Sequence, residues 1–509
     1  MLDRSVKSRF GVSIASNVLR GGVTFITGLA LARALGPQDY GSFAFLIGSF
    51  SAIKQLLDCG TSSAFFTFIS QKPRGRAFFA SYAAWLALQF ALPLAAIALI
   101  LPDQFVAVLW VKHDRNIVLL AFIAVFMQQQ AWQTMMQVGE SMRRTAFVQL
   151  LSLGLALLHL AIILLLWKAQ MLNVSLLFIL TVAEYLVATY IAIRVLFKVS
   201  PEPAGEFSWS ATLREYRAYC VPLILYSWVG FANGYVENWL LQLFGGSVEQ
   251  AYFAVGSQFS AGCRVATSAM LHIFWKEIAE AHKAGNLVRV EYLYRRVSRF
   301  LFMVSAAISG LLVPWSAQIA GAVLGPSFIA GASVLAVMLL YPLHASLGQI
   351  IGTMYLATGR NTPQVIIGIV SMTLSIPLTY FLLAPADLAV PGLALGGMGM
   401  AIKMVGTTVI TTNVMAWWLA RQYRWSFLWQ HQFVATAACL GLGWLSWRVA
   451  QLAGGLLQLN MPTEFVLGTI AYGLMLAAYL WLHPAIIGLE REELQTYMRR
   501  LLRRRNAPG

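Results

Sequence analysis

The sequence predicts an all-α polytopic membrane protein of fourteen transmembrane helices, built as two pseudo-symmetric six-helix lobes plus two C-terminal helices. Three observations carry that expectation. Of 509 residues, 59% are hydrophobic and 11% are charged, against about 45–50% and about 25% in soluble globular chains. Apolar windows of some twenty residues recur along nearly the whole length, each long enough to cross a hydrocarbon core of about 30 Å at about 1.5 Å per residue. Finally, part of the chain is written twice.

The expected spans are 11–33, 40–60, 77–101, 115–138, 145–167, 171–197, 219–244, 249–271, 299–324, 331–357, 364–384, 390–419, 430–451 and 464–485. Continuous runs such as AAWLALQFALPLAAIALIL (Ala83 to Leu101) exclude a β-barrel, whose strands alternate over about ten residues. The first nine residues are polar and basic and lead straight into a span, so no cleavable signal peptide is expected. Cys59, Cys220, Cys263 and Cys439 are dispersed in apolar surroundings and read as small buried hydrophobes, without metal spacing or a disulfide framework.

Charge fixes the expected orientation, because basic residues gather on cytoplasmic loops. With the N-terminus inside, 27 basic residues fall on inner segments and span edges. Five fall outside: Arg33, Lys112, Arg115, Lys168 and Arg448. Both termini are therefore expected in the cytoplasm. The net charge of +16 sits beside the spans, which suits contact with anionic membrane lipid and argues against a nucleic-acid partner. Two basic amphipathic stretches, 276–297 and the tail 486–509, are expected to lie as helices in the inner interface. The outer loops are short, and no large external or cytoplasmic domain is present in the pattern.

The duplication is legible in two places. LARALGPQDYGSFAFLIGSF (Leu31 to Phe50) and LLQLFGGSVEQAYFAVGSQF (Leu240 to Phe259) share one grammar. An apolar run stops at a glycine (Gly36, Gly245), a polar break follows with an acid (Asp39, Glu249), and an aromatic opens the next run. VGESMRRTAF (Val138 to Phe147) is echoed by ATGRNTPQ (Ala357 to Gln364). Spans 1–6 and 7–12 are therefore two copies of one unit. Six is even, so the copies are parallel repeats, an arrangement found in transporters with a site between the copies. The expected organisation is 1–205 for the first lobe, 206–424 for the second, 425–485 for spans 13 and 14, and 486–509 for the tail.

The stretch SNVLRGGVTFITGLALARALGPQDYGSFAFLIGSF (Ser16 to Phe50), with its G-P-x-x-Y-G turn from Gly36 to Gly41, closely resembles the opening of the polysaccharide transporter branch of the MOP exporter superfamily, the Wzx-type lipid-linked oligosaccharide flippases. The fourteen spans and the duplication extend that resemblance over the chain. It implies two lobes around a central cavity. The implied activity is movement of an undecaprenyl-pyrophosphate-linked oligosaccharide repeat unit to the outer leaflet for exopolysaccharide or O-antigen assembly. Polymerase and chain-length or export machinery would be its partners, and a bacterial cytoplasmic (inner) membrane its location.

An ionised side chain at mid-bilayer costs at least ~2.5–3.5 kcal/mol, so each one needs a reason. Four cations lie within spans: Arg20, Lys54, Arg264 and Lys403. Lys54 and Arg264 are separated by the repeat offset and are expected to face each other across the cavity, with Arg20 and Lys403 extending the patch. Guanidinium forks and ammonium points suit the oxygens of a pyrophosphate. Hydrogen-bonding and stacking groups for the sugars are Asn17, Gln128, Gln129, Gln130, Trp132, Asn233, Asn238, Trp239 and Gln258. Lys54 and Asp58, four residues apart, are also placed for a private ion pair. Glu184, near mid-depth of span 6, is the leading candidate for a coupling proton or sodium ion, with Asp58 a second, although a buried partner for a cation is the role more expected of it; no other cofactor is implied. Glu140 is expected to pair with Arg143 and Arg144. His159, His272 and His344 are expected to be isolated, with packing or interfacial roles rather than proton relay.

An alternative function, a multidrug exporter for organic cations, would be better served by cavity carboxylates than by lysines and arginines. A membrane-bound glycan polymerase or glycosyltransferase would need a long outer loop, a carboxylate pair or a metal motif, and none stands out. The chain is expected to be a transporter and not an enzyme.

Overall fold

The structure is a computed structural model that describes the backbone of residues 2–198, 207–359, 361–427 and 429–488; side chains of residues 2–14, 265–273 and 275 are not described. It is all-helical. The main helices are α1 (Leu2–Asp58), α2 (Thr61–Gln71), α3 (Arg76–Ile100), α4 (Asp103–Leu109), α5 (Arg115–Ser141), α6 (Thr145–Lys168), α7 (Val174–Leu196) and α8 (Trp209–Lys283). They are followed by α9 (Leu287–Leu324), α10 (Pro326–Thr358), α11 (Thr362–Leu383), α12 (Gly396–Tyr423), α13 (Trp429–Leu457) and α14 (Met461–Leu482). Ten of the described helices are long and apolar enough to cross a membrane. Many of their large apolar side chains point outward, as with Leu165, Leu456 and Leu474 at 67%, 84% and 69% exposure. Such a surface is stable in hydrocarbon and would aggregate in water.

Two of these helices contain a break where the sequence is duplicated. In α1 the backbone turns at Gly36 (φ 71°, ψ 173°), immediately before Pro37. In α8 it turns at Gly246 (φ 75°, ψ −178°). These nearly identical conformations lie at positive φ, where glycine carries no Cβ penalty. The counterpart of Gly36 is thus Gly246, one residue beyond the Gly245 expected from the apolar run, and the spacing is already 210 residues at the break.

The basic stretch 276–297 is not one interfacial helix. Lys276–Lys283 is the end of α8, a turn occupies residues 284–286, and α9 starts at Leu287. The side chain of Asn286 stops any continuation by accepting from Arg289 N at 2.9 Å, an N-cap that starts α9 afresh. Span 12 also begins later than expected, since residues 384–395 are non-helical and α12 starts at Gly396. The tail beyond Gly488 lies outside the described residues.

The chain divides into two compact units, Met1–Ala254 with Met372–Gly399, and Val255–Ser371 with Met400–Gly509. This division does not follow the 205/206 boundary of the repeat. In the first unit, one core gathers Phe65, Phe68, Phe78, Tyr82 and Trp132, and another Phe45, Phe50, Trp110 and Phe122. In the second, Phe302, Ile350, Tyr355, Leu419 and Cys439 form the core. There α13 packs backbone-to-backbone on α9: a Cβ at Gly443 would stand 1.8 Å from the Gly310 carbonyl oxygen. On α14, Tyr472 donates its hydroxyl to Ala307 O at 2.9 Å. The two C-terminal helices are thereby fastened to the second unit.

Candidate functional site

In the first unit, α1, α5, α6 and α7 surround a cavity of about 200 Å³. Its wall is mixed. Leu31, Phe43 and Phe178 supply apolar surface, while Thr27, Gln128, His159, Thr181, Glu184 and Tyr185 supply polar groups. The threonine hydroxyls donate back to their own helices, Thr27 to Val23 O at 2.8 Å and Thr181 to Leu177 O at 2.9 Å. That leaves their oxygen lone pairs free to accept.

Glu184 is 7% exposed. Its Oε2 meets Nδ1 of His159 at 2.7 Å, so His159 is paired and not isolated. Its Oε1 is buried without a hydrogen-bond partner. Next to it, Gln128 Nε2 donates to the Tyr185 hydroxyl at 3.1 Å. Arg20 donates to Asn17 Oδ1 at 2.8 Å and lies within electrostatic reach of Tyr185, as does Glu184. Four residues singled out in the sequence, Asn17, Arg20, Gln128 and Glu184, therefore share one neighbourhood. His159 was missed because its partner is 25 residues away on another helix, and nothing local announces the pair.

Lys54 and Asp58 are close enough for their charges to interact, yet the carboxylate of Asp58 is spent elsewhere. It accepts from Thr61 Oγ1 (3.0 Å), Ser62 N (2.8 Å) and Ser62 Oγ (2.9 Å), fastening the start of α2. The expected Lys54–Asp58 ion pair gives way to this cap, because the chain turns at Cys59–Gly60 and presents orphan helix donors to the nearest carboxylate. A similar exchange occurs at the other predicted pair. Glu140 accepts from Gln149 Nε2 at 3.1 Å, and Arg144 donates to Val195 O at the end of α7.

Other predicted contacts are taken up by packing. Trp132 is 6% exposed. Asn238 Nδ2 donates to Phe45 O at 2.9 Å, and its Oδ1 accepts from Gln250. Trp239 donates to Val108 O, and Gln129 to Ser51 Oγ at 2.8 Å. The Asn233 amide nitrogen donates to Met372 O (2.9 Å) and to Glu237 Oε1 (3.0 Å), and Ser375 donates to the same carboxylate oxygen. Glu237 is thereby a buried carboxylate with Asn233 and Ser375 among its donors.

In the second unit, Arg264 lies with its guanidinium 5.4 Å from the ring centroid of Tyr341, a cation–π contact that tolerates desolvation of the charge. Gln258 is half-buried. Lys403 is 5% exposed and engaged by a neighbour. His344 meets Gln432 Oε1 at 3.1 Å; the His272 side chain lies outside the described residues.

This helical arrangement, with its broken helices, is the fold of solved MOP superfamily transporters. It is similar to lipid II flippase MurJ in an inward closed conformation, with 12% identity, a TM-score of 0.69, and 92% of this chain and 98% of that one covered. It is also similar to an inward-facing multidrug resistance MATE family transporter, with 15% identity, a TM-score of 0.61, and 80% and 94% covered. A MOP superfamily transporter from Pyrococcus furiosus Vc1 shares the fold, with 14% identity, a TM-score of 0.55, and 82% and 96% covered. No curated protein matches this chain. Residues 6–270 match the family described as polysaccharide biosynthesis protein, and the chain belongs to that family.

Proposed function

We propose that the protein flips an undecaprenyl-pyrophosphate-linked oligosaccharide repeat unit from the cytoplasmic to the periplasmic leaflet, for exopolysaccharide or O-antigen assembly. Fourteen passes in two six-helix lobes would enclose the path, with both termini cytoplasmic as the basic loops require. Arg20, Lys54, Arg264 and Lys403 would receive the pyrophosphate, while Asn17, Gln128 and Gln258 would meet the sugars. The polyprenyl tail would stay in lipid, and the lobes would rock between inward- and outward-open states.

The observation that carries this reading is cationic. A family of polysaccharide biosynthesis proteins here holds basic side chains within its apolar helices, and Lys403 is almost wholly buried. Burying such a charge is costly unless it is paired or serves an anion. The test is Arg264→Ala in cells that make the polymer. Lipid-linked glycan should accumulate on the inner leaflet while the protein stays in the membrane. Undiminished polymer export would sink the site, and sensitisation of a deletion strain to cationic drugs would favour a multidrug exporter.

A further inference from the structure

We propose that the first unit binds an anionic phospholipid of the surrounding membrane where the loop between α2 and α3 meets the start of α8. The phosphate would sit at Lys72 and Arg74, with an acyl chain in an adjoining aromatic groove. This is a site for a resident membrane lipid rather than for a transported one, and it does not rest on the flippase reading.

The place has two parts of opposite character. One is a groove of about 230 Å³ between α2, α3 and α8, walled by Tyr82, Trp85, Trp209 and Leu213. Trp209 and Leu213 are 64% and 69% exposed. With Tyr216 they fall at i, i+4 and i+7, one stripe of α8. Tryptophan favours the depth of the headgroups, its ring apolar and its N–H polar. The other part is an open pocket of about 450 Å³ lined by Phe68, Lys72, Arg74, Glu215 and Tyr219. Tyr216 joins the two. It lines the groove, follows Glu215 in the chain, and its ring meets that of Phe68 edge-on at 5.2 Å.

Two buried polar atoms at this junction, Arg74 Nε and the Tyr216 hydroxyl, have no hydrogen-bond partner among the described residues. The rest of the guanidinium is committed. Its Nη2 donates to Glu215 Oε2 at 2.7 Å, and its Cζ lies 4.6 Å from the Phe78 ring centroid. The unmet donors suit the oxygens of a phosphate, which a guanidinium grips with charge-assisted bonds. Lys72, 58% exposed, adds a point charge. Residues 71–76 and 209–217 together carry Lys72, Arg74, Arg76, Arg214 and Arg217 against the single acid Glu215, an excess that attracts anionic headgroups. A soluble anion would leave the apolar groove unfilled, whereas a phospholipid fills both parts at once. Glu215 also holds Lys72, at 3.4 Å, so its carboxylate competes with the phosphate for the same two cations. Removing it should therefore strengthen lipid binding, an effect that no general loosening of the fold produces.

The full chain, purified in a neutral detergent and stripped of lipid, is titrated with phosphatidylglycerol, phosphatidylcholine and inorganic phosphate. Bound lipid is counted by native mass spectrometry, and the melting temperature is followed in parallel. Phosphatidylglycerol should bind about tenfold more tightly than phosphatidylcholine and raise the melting temperature, as a ligand of the folded state must. Inorganic phosphate should do neither. Leu213→Glu, at an exposed position, and Arg74→Gln should each weaken phosphatidylglycerol several-fold, and Glu215→Gln should tighten it several-fold. Where Arg74→Gln does not fold, Lys72→Gln probes the same pocket from the surface. Equal binding of the two phospholipids overturns the proposal by marking an unselective lipid contact. Stabilisation by inorganic phosphate overturns it by marking a site for a soluble anion. Glu215→Gln binding no better than wild type, or Leu213→Glu no worse, overturns it as well. No glycan is present, so the outcome is independent of the flippase reading.

Discussion

A space in the first unit and one in the second differ in size and in the charge of their walls, Glu184 lining the one and Arg299 the other. Around α1, α5, α6 and α7 the structure leaves a cavity of about 200 Å³ with an acid in its wall. In the second unit, the space among Tyr294, Ser298, Phe302, Leu347, His431 and Gln432 measures about 30 Å³, enough for one water. Charge differs too: Glu184 is buried in the first unit and Lys403 in the second. The backbone break, by contrast, recurs at Gly36 and Gly246 with nearly the same dihedral angles.

Filling the tight packing of the second unit should have the largest effect. In Gly443→Val, the new Cβ would stand 1.8 Å from Gly310 O. The backbones of α9 and α13 must then separate, beyond the ~1–3 kcal/mol of ordinary overpacking. Thermal unfolding in detergent should show the protein destabilised or absent. A wild-type melting curve would mean that α9 and α13 do not need this close approach.

Lys403→Ala comes next. It should lower glycan export about tenfold or more by stripping a buried charge from its neighbours, while Lys403→Arg retains part of it. Equal export by both variants would show that the cation is merely structural. Thr181→Leu probes the opposite side of the comparison. Placing a larger apolar side chain in the first unit's cavity should narrow it and lower glycan export several-fold, with stability lowered by no more than about 1–3 kcal/mol. Unchanged export in that variant would mean that this cavity does not serve transport.

The smallest effect is expected at Glu215, on the N-terminal turns of α8 outside the expected span. Partial burial raises the proton affinity of its carboxyl. The Arg74 guanidinium at 2.7 Å and Lys72 outweigh this and hold the pKa below its usual value. Because the folded-state pKa is depressed, the link contributes fully above the unfolded carboxylate value and is lost as pH falls through the folded one. Glu215 is 35% exposed, so solvent screens the pair. Glu215→Gln should cost no more than about 1 kcal/mol at neutral pH, and nothing at a pH low enough to protonate the wild-type carboxyl. An equal cost at both pH values would mean that packing, not charge, is at stake.

Several elements were readable without coordinates. The helices follow from unbroken apolar runs, and the break at Gly36 was visible because a glycine followed by a polar, acid-containing break recurs at 245–249. Its partner was misassigned by one residue, since GlyGly at 245–246 offers two equivalent letters and only the backbone dihedral distinguishes them. The interfacial helix 276–297 was overread for a related reason: an apolar stripe continues in register across Asn286, whose cap is invisible to periodicity. Asp58 and Glu140 failed as ion-pair partners because sequence spacing ranks nearby charges, whereas the folded chain offers helix-end donors and an amide from Gln149.

Sequence alone determined that this is a helical membrane protein with basic residues inside its apolar runs and a helix break written twice. Those properties reside in composition and period, which every local stretch of chain carries. Tertiary structure alone decided that His159 meets Glu184, that one carboxylate oxygen is left facing a cavity, and that α13 and α14 fasten onto α9. Such contacts join residues far apart in the chain, and their energy depends on distance and dielectric, which no linear pattern records.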